Sequence, residues 1–420
     1  MLLIFALTTI TMATASGSPI GMIDQFLQTR HNTQIYHFTS HQPEQIPQNT
    51  FAMTLSQLNG NLPAGSLVPA AEIGNQVALF LPDGTILHTT SALVKIITVP
   101  LGTKPTLKTY SQMIMLGFAD GATSDYMQNL SQDPLSVLAP MAYQLNGSNG
   151  QLTGSLSGSV IQAAHQRNVQ VWAVVASGFN PAVTTAFLEN PSAEFTVLQY
   201  IASVAKTSQV DGINFDFEDM IPSDAPLYTR FITAAATVLH AMGKWVSVDV
   251  TLPSNDPNWS LIYNRSQLAK VTDYMVAMSY DQHYVGEQQI GAVAALPWVQ
   301  TGINAIVQEG VSANKILLGV PFYSIDWYKS GNNWHSSYDS MYAQQRAKSE
   351  PNARTQNDAA SGLNELIYSI NGVTHYLWLE DTRSLTERST LTVNNHLAGV
   401  AVWQLELGTA QNLQTLLRVF

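Results

Sequence analysis

The chain has no cysteine, which excludes disulfides, thiolate catalysis and cysteine-ligated zinc together. Charge is also scarce: Asp, Glu, Lys and Arg make up 11% of 420 residues, well under the usual quarter. The exposed surface therefore has to rely on Ser, Thr, Asn and Gln. Basic residues are the scarcer sign, 18 against 29 acidic ones, for a net charge of −11. Nucleic acid is excluded as a partner, because phosphate binding needs a basic patch. A neutral polysaccharide fits better, since it requires no charge steering. No Lys or Arg precedes Arg30.

That basic-free start reads MLLIFALTTITMATASGS, an apolar run ending in small residues, with Ala13 and Ala15 forming an A-x-A-like site before Ser16. It predicts an export signal over residues 1–17, short of a comfortable membrane span. The mature protein is then expected outside the cytoplasm, in the periplasm, cell envelope or medium, with no membrane span and as a monomer.

Hydrophobic residues, by contrast, are plentiful at 45%. Eight apolar β-rich runs stand out: Met113–Phe118, Val137–Tyr143, Val169–Ala176, Gly212–Phe217, Val246–Val250, Tyr274–Ser279, Ile316–Pro321 and Val400–Trp403. Most are continuous rather than alternating, as parallel strands covered by helices are. Helix patterns lie between them. From Pro226 to Met242, Leu227, Phe231, Ala234, Val238 and Ala241 recur at three- and four-residue spacing, with Asp224 placed to cap the start and Gly243 past the end. Eight strands with interposed helices predict an α/β fold, the (β/α)8 TIM barrel, over residues 110–420. An open doubly wound sheet is the alternative, but its glycine fingerprint is missing.

The last connection is long. A polar stretch, Ser330–Gly362, precedes a hairpin signal, Leu366–Ile370 and His375–Leu379 around Asn371-Gly372. A small α+β insertion at about 325–380 is expected there. Residues 20–105 read as a small β-rich accessory segment, with pieces at Val77–Leu81 and Leu93–Val99. Gly147–Gly158 reads as a flexible loop rather than a phosphate cradle.

The fourth run breaks the apolar rule. In Asp211-Gly-Ile-Asn-Phe-Asp-Phe-Glu-Asp219, alternation sets Asn214, Asp216 and Glu218 on one face and Ile213, Phe215 and Phe217 on the other. Two carboxyls so close cannot both ionise easily, so one holds its proton near neutrality, as a general acid must. The same residues allow a divalent-cation site, a D-x-D transferase motif or an acidic helix start.

Asp211–Glu218 resembles the D-x-x-D-x-D-x-E signature of glycoside hydrolase family 18, the chitinase family, with Asn214 at the second Asp. The segment Val271–Asp281, containing Met278-Ser-Tyr280-Asp281, is similar to the family's sixth strand, and Gly399–Trp403 to its eighth. Tyr280–Tyr284, Leu296-Pro-Trp298, Gly319–Tyr323 and Trp378–Asp381 resemble the branch of bacterial spore cortex-lytic N-acetylglucosaminidases. That branch usually carries Asn at the position of Asn214.

The resemblance implies a retaining hydrolase of β-1,4-linked N-acetylglucosamine polysaccharide, peptidoglycan ahead of chitin, in which the substrate's 2-acetamido group is the nucleophile. Glu218 would be the acid and base, Asp216 and Tyr280 would hold the acetamido group, and Asp281, Met278 and Trp403 would contact the sugar. His283 is a subsite candidate. Asn214 could donate a hydrogen bond to Asp216 but take no proton, which predicts a shifted pH profile. No metal or organic cofactor is implied. Trp245, Trp259, Trp298 and Trp327 are candidates for either sugar platforms or core filling. Leu55–Pro69 resembles the second half of a LysM peptidoglycan-binding module without its opening G-D-T-L. A catalytically silent glycan-binding barrel and a structural envelope protein are the competing functions.

Overall fold

A computed structural model describes residues 103–120 and 134–420, with the backbone of a few short strands upstream. Leu93–Val99 and nearly all of the export-signal and LysM-like stretches lie outside the described residues, which keep only the short strand pair Ile4–Phe5 and Leu67–Val68 from them. Upstream, Ala70–Ile73, Gln76–Phe80 and Ile86–Thr89 form a three-stranded antiparallel sheet, its middle strand close to the expected Val77–Leu81. Among the described residues, no helix is long and apolar enough to cross a membrane.

Eight parallel strands close on themselves as a barrel. They are β1 Ile114–Ala119, β2 Val137–Leu145, β3 Gln170–Ala176, β4 Gly212–Asp216, β5 Trp245–Thr251, β6 Tyr274–Met278, β7 Ile316–Pro321 and β8 Gly399–Trp403. Each pairs with its neighbours in sequence order, and β8 returns to β1. The fold is the (β/α)8 barrel expected from the eight runs.

Alternation along the strands divides two cores. Ile114, Leu116, Phe118, Trp172, Val174, Val276 and Leu317 fill the barrel. Ile213, Phe215, Val248, Met275 and Leu318 face outward under the helices. At the N-terminal end of the barrel, Trp172 lies within 6.1 Å of Trp245 and 5.8 Å of Tyr274, and Lys104 covers Trp245 while pairing with Asp273. Trp245 therefore fills the barrel base and is no sugar platform.

The helix at Ala225–Ala241 matches its periodic pattern, and Gly243 follows with φ 72°. Asp224 stands at the N-cap position as expected, but its side chain makes no cap hydrogen bond. Its side chain accepts from Ile221 N–H and Thr185 Oγ1, so it closes the 3-10 turn Pro222–Asp224 instead of capping the α-helix. The Gly147–Gly158 stretch is also more ordered than expected, because Leu152–Gly154 folds back antiparallel onto Tyr143–Leu145.

Between β7 and β8 stands a five-stranded antiparallel sheet, Tyr323–Ser330, Asn333–Ser340, Arg354–Asp358, Leu363–Ile370 and Val373–Leu379, with a helix at Met341–Ala347. Asn371 and Gly372 have φ 49° and 78°, the left-handed pair that a two-residue hairpin turn requires. The polar stretch before it holds two strands and a helix, as an α+β insertion requires. Trp327 is fully buried at the base of this sheet.

Candidate active site

β4 ends at the C-terminal mouth of the barrel, where active sites of this fold are built. Its outward residues are anchored by rings: Phe215 meets Phe231 edge-on at 5.8 Å, and Phe217 stacks on Tyr228 at 5.2 Å. Asn214, Asp216 and Glu218 are thereby turned inward. The backbone at Glu218 is clamped, its N–H donating to Ser177 Oγ and its carbonyl accepting from the same hydroxyl, both at 3.0 Å. Tyr263 donates its O–H to the Phe217 carbonyl at 2.8 Å. Asp219 then leaves the strand in the left-handed region, φ 49°.

β5 supplies the surprise. Asn214 pairs in register with Ser247, so Ser247 and Asp249 share the inward face with the β4 residues. The Asn214 amide donates to Ser247 Oγ at 2.9 Å and to Asp249 Oδ1 at 2.7 Å. Both amide hydrogens are thus committed to β5, and the expected donation to Asp216 is not formed. Asp249 is 2% exposed, and the sequence pattern alone does not single it out, since it lies within the apolar run Val246–Val250.

Asp216 and Glu218 are hydrogen-bonded to each other. Burial pushes the Asp216 carboxyl up to about 6, with the Glu218 hydrogen bond drawing it back. Glu218 is raised well above the carboxylate range by burial first and then by the charges of Asp216 and Asp249. The pair therefore separates into an anion, Asp216, and a neutral acid, Glu218. This is the division of labour that acid catalysis needs near neutrality.

β6 and the inserted sheet complete one wall. Met278 is buried at the end of β6, and Tyr280 follows with its ring 6.2 Å from that of Tyr323. A Cβ at Gly319 would lie 3.0 Å from the Tyr280 ring and 2.5 Å from the Ala277 carbonyl, so glycine is what seats Tyr280 there. Asp281, at φ 57°, accepts a 2.6 Å hydrogen bond from Tyr323 O–H. Trp403, at the end of β8, meets Phe118 edge-on at 5.5 Å and stays partly open. His283 lies outside this group. Its Nδ1 is 2.9 Å from Glu287 Oε2, and its ring packs on Gly291 within the loop after β6.

Opposite, loops after β3 and β5 carry Phe179 and Trp259, 58% and 40% exposed, with rings 6.2 Å apart. They flank the end of β4, where Glu218 sits. Trp298 is half-buried on the helix Leu296–Gln308.

A closed (β/α)8 barrel whose mouth holds a hydrogen-bonded carboxylate and carboxylic acid, walled by tyrosines and tryptophan, defines a glycoside hydrolase. Residues 113–408 match the model of Glycosyl hydrolases family 18, and the chain belongs to that family. It is 26% identical over 275 residues to the uncharacterized glycosylase YvbX of Bacillus subtilis, covering 61% of this chain and 77% of the relative. It is 24% identical over 247 residues to a cortical fragment-lytic enzyme of Bacillus anthracis, covering 58% of this chain and 57% of that protein. The solved chitinase of Chromobacterium violaceum superposes with a TM-score of 0.66 at 22% identity, over 73% of this chain and 98% of that one, a likeness of fold.

Proposed function

We propose that this protein hydrolyses β-1,4 bonds next to N-acetylglucosamine with retention of configuration, acting on cell-wall peptidoglycan ahead of chitin. The hydrogen bond between Asp216 and Glu218 carries the reading. Retaining enzymes with a carboxylate nucleophile set their two carboxyls about 5–5.5 Å apart, on opposite sides of the bond. Asp216 and Glu218 are two residues apart on one face of β4 and interact directly through their carboxyls, so both lie on one side. Asp249 is sealed behind Asn214, and Asp281 is tied to Tyr323. The nucleophile is then best supplied by the substrate, through its own 2-acetamido oxygen.

In that scheme Glu218 gives its proton to the leaving oxygen, and the acetamido carbonyl closes on the anomeric carbon. Asp216 accepts from the acetamido N–H and balances the positive ring that forms. The Tyr280 hydroxyl, which burial and the surrounding carboxyls keep neutral, donates to the acetamido oxygen. Glu218, now a carboxylate, takes a proton from the water that reopens the ring. Trp403 stacks on the sugar, Asp281 and Met278 shape its site, and Phe179 with Trp259 extends the surface. The peptidoglycan preference draws on the cortical fragment-lytic relatives and on the LysM-like stretch at Leu55–Pro69, a candidate tether to wall glycan. An exported, cell-envelope setting is part of the same proposal.

The test is to incubate the full chain and its Glu218→Gln variant with purified peptidoglycan and with chitin oligosaccharides, and to measure new reducing ends. Release by the parent alone supports the reading, and the better substrate settles the order. Binding without release by the parent would identify a silent glycan-binding barrel instead.

A further inference from the structure

The mouth of the barrel holds one carboxyl that the hydrolytic scheme does not use. Asp249 sits on β5, which alternates Val246, Val248 and Val250 outward with Ser247, Asp249 and Thr251 inward. The β4–β5 register runs Asn214 to Ser247 and Phe215 to Val248. One step further places Asp216 beside Asp249 on strands about 4.8 Å apart. Asn214 crosses this gap and donates to Asp249 Oδ1 at 2.7 Å, while Ser247 Oγ takes its other hydrogen at 2.9 Å. Asn214, Asp216 and Asp249 are all buried, and among the described residues no Lys or Arg side chain pairs with any of them.

We propose that Asp249 is a positioning residue for the acid: its carboxylate, held by Asn214 across the strand boundary, keeps the proton on Glu218 into alkaline solution. The inference rests on the reading of Glu218 as the proton donor.

The charge environment supports it from every side. β4 presents Asp216 and Glu218 to Asp249, the chain after β6 presents Tyr280, and the helix Ala225–Ala241 presents Tyr228. Each of these is neutral or negative. Among the described residues, the Arg265 guanidinium near the Tyr263 ring is turned to Glu309 and the Ser260 hydroxyl. A second carboxylate in so dry a place can only oppose ionisation of Glu218, because like charges there are weakly screened. Burial and Asp216 also push Asp249 upward, while the Asn214 hydrogen bond favours its charged form. The three carboxyls therefore exchange two protons as one set rather than titrating singly. Asn214, a neutral amide in line with two acids, serves to hold the third one in place.

Two measurements on the full chain decide it. The first is the pH dependence of kcat/KM for Asp249→Asn, which keeps the shape and the Asn214 contact but removes the charge. The alkaline limb should move down by roughly one pH unit, and further than the acidic limb. Superimposable alkaline limbs would overturn the proposal. The second needs neither a variant at Asp249 nor turnover: a carbon-13 NMR titration of the unmodified protein labelled in Asp and Glu side-chain carboxyls, with Glu218 assigned through Glu218→Gln. The Glu218 curve should show two inflections, one shared with a buried aspartyl above the step of Asp216. A single-step Glu218 curve would overturn the proposal even where Asp249→Asn fails to fold. If the parent releases no sugar but the coupled titration is seen, the hydrolytic reading fails and the coupling stands.

Discussion

Tyr323 donates its hydroxyl to Asp281 Oδ1 at 2.6 Å, joining the first strand of the inserted sheet to the end of β6. Asp281 has left-handed backbone, φ 57°, a conformation that a non-glycine residue holds only when its surroundings insist. The insertion is thus more than decoration between β7 and β8. It fixes a carboxylate beside Tyr280 at the mouth of the barrel.

Removing that hydroxyl should therefore be felt at the site rather than in the fold. Burial raises the Asp281 carboxyl, and the Tyr323 hydrogen bond lowers it. With Tyr323→Phe the lowering is lost, so Asp281 should take a proton at higher pH than in the parent. We expect kcat/KM to fall about tenfold or more, as for a hydrogen bond to a charged group, and its acidic limb to move upward. An unchanged profile in a pH–rate series would show that Asp281 does not work as an anion.

The pH profile of the parent has its own expected shape. Asp216 must be ionised to balance the acetamido ring, and burial puts it at about 6. Activity should fall as the pH drops through that value. Glu218 must be protonated and is raised well above its ordinary range, so the profile falls again on the alkaline side. Asp216→Asn should remove the step near 6 from the acidic limb along with most of the rate, by roughly a hundredfold or more. A parent still fully active at pH 4 would contradict the assignment of Asp216 as the anion.

A stability prediction concerns the far side of the insertion. Arg388, fully buried, pairs with Glu380 through both carboxylate oxygens and donates to the Ala294 carbonyl at 2.8 Å. It pins the helix Thr382–Asn394 to the end of the inserted sheet. Arg388→Ala leaves Glu380 charged in a dry pocket and should cost about 3–5 kcal/mol. Arg388→Met with Glu380→Leu should recover most of that loss, because the desolvation of both charges disappears as well. Denaturant unfolding of the single and double variants checks the order. A double variant no better than the single would mean that the pair is net stabilising.

The barrel was legible because its strands are buried on both faces: each of the eight apolar runs is a strand, within a residue or two at its ends. Glu218, Asp216 and Asn214 were legible because polar residues inside an apolar run must face a site. Asp249 obeys the same rule, in Trp-Val-Ser-Val-Asp-Val-Thr, yet its neighbours make the segment look like an ordinary hydrophobic strand. Its meaning comes from Asn214, 35 residues earlier, and only the β4–β5 register brings them together. The hairpin at Asn371-Gly372 announced itself through its turn. Asn333–Ser340 did not, since it lies at the edge of its sheet with none of its residues buried, so it has no apolar period to read. Pairs such as Phe179 and Trp259 come from different loops, and no local pattern couples them.

That aromatic pair yields the sharpest contrast between folding and function. Phe179 is exposed and sits at φ 52°, where a bulky side chain pays roughly 1–2 kcal/mol. Asn180 follows at once as the N-cap of the helix Pro181–Leu188, accepting from Val183 N–H at 3.2 Å, so the strained residue is held at a fixed corner. Trp259 is fixed in turn by Asp256 Oδ1, which accepts its N–H at 3.0 Å. A chain selected for stability alone would place glycine at 179 and a polar residue at 259. If the rings bind sugar, Phe179→Gly should hold or raise the melting temperature while weakening long glycans, and Trp259→Ala should weaken them about tenfold, in KM more than kcat. Short substrates that fill only the Trp403 site should be cleaved as before by both variants. Equal losses on short and long substrates would place the pair in support of Glu218 instead of on the path of the polymer.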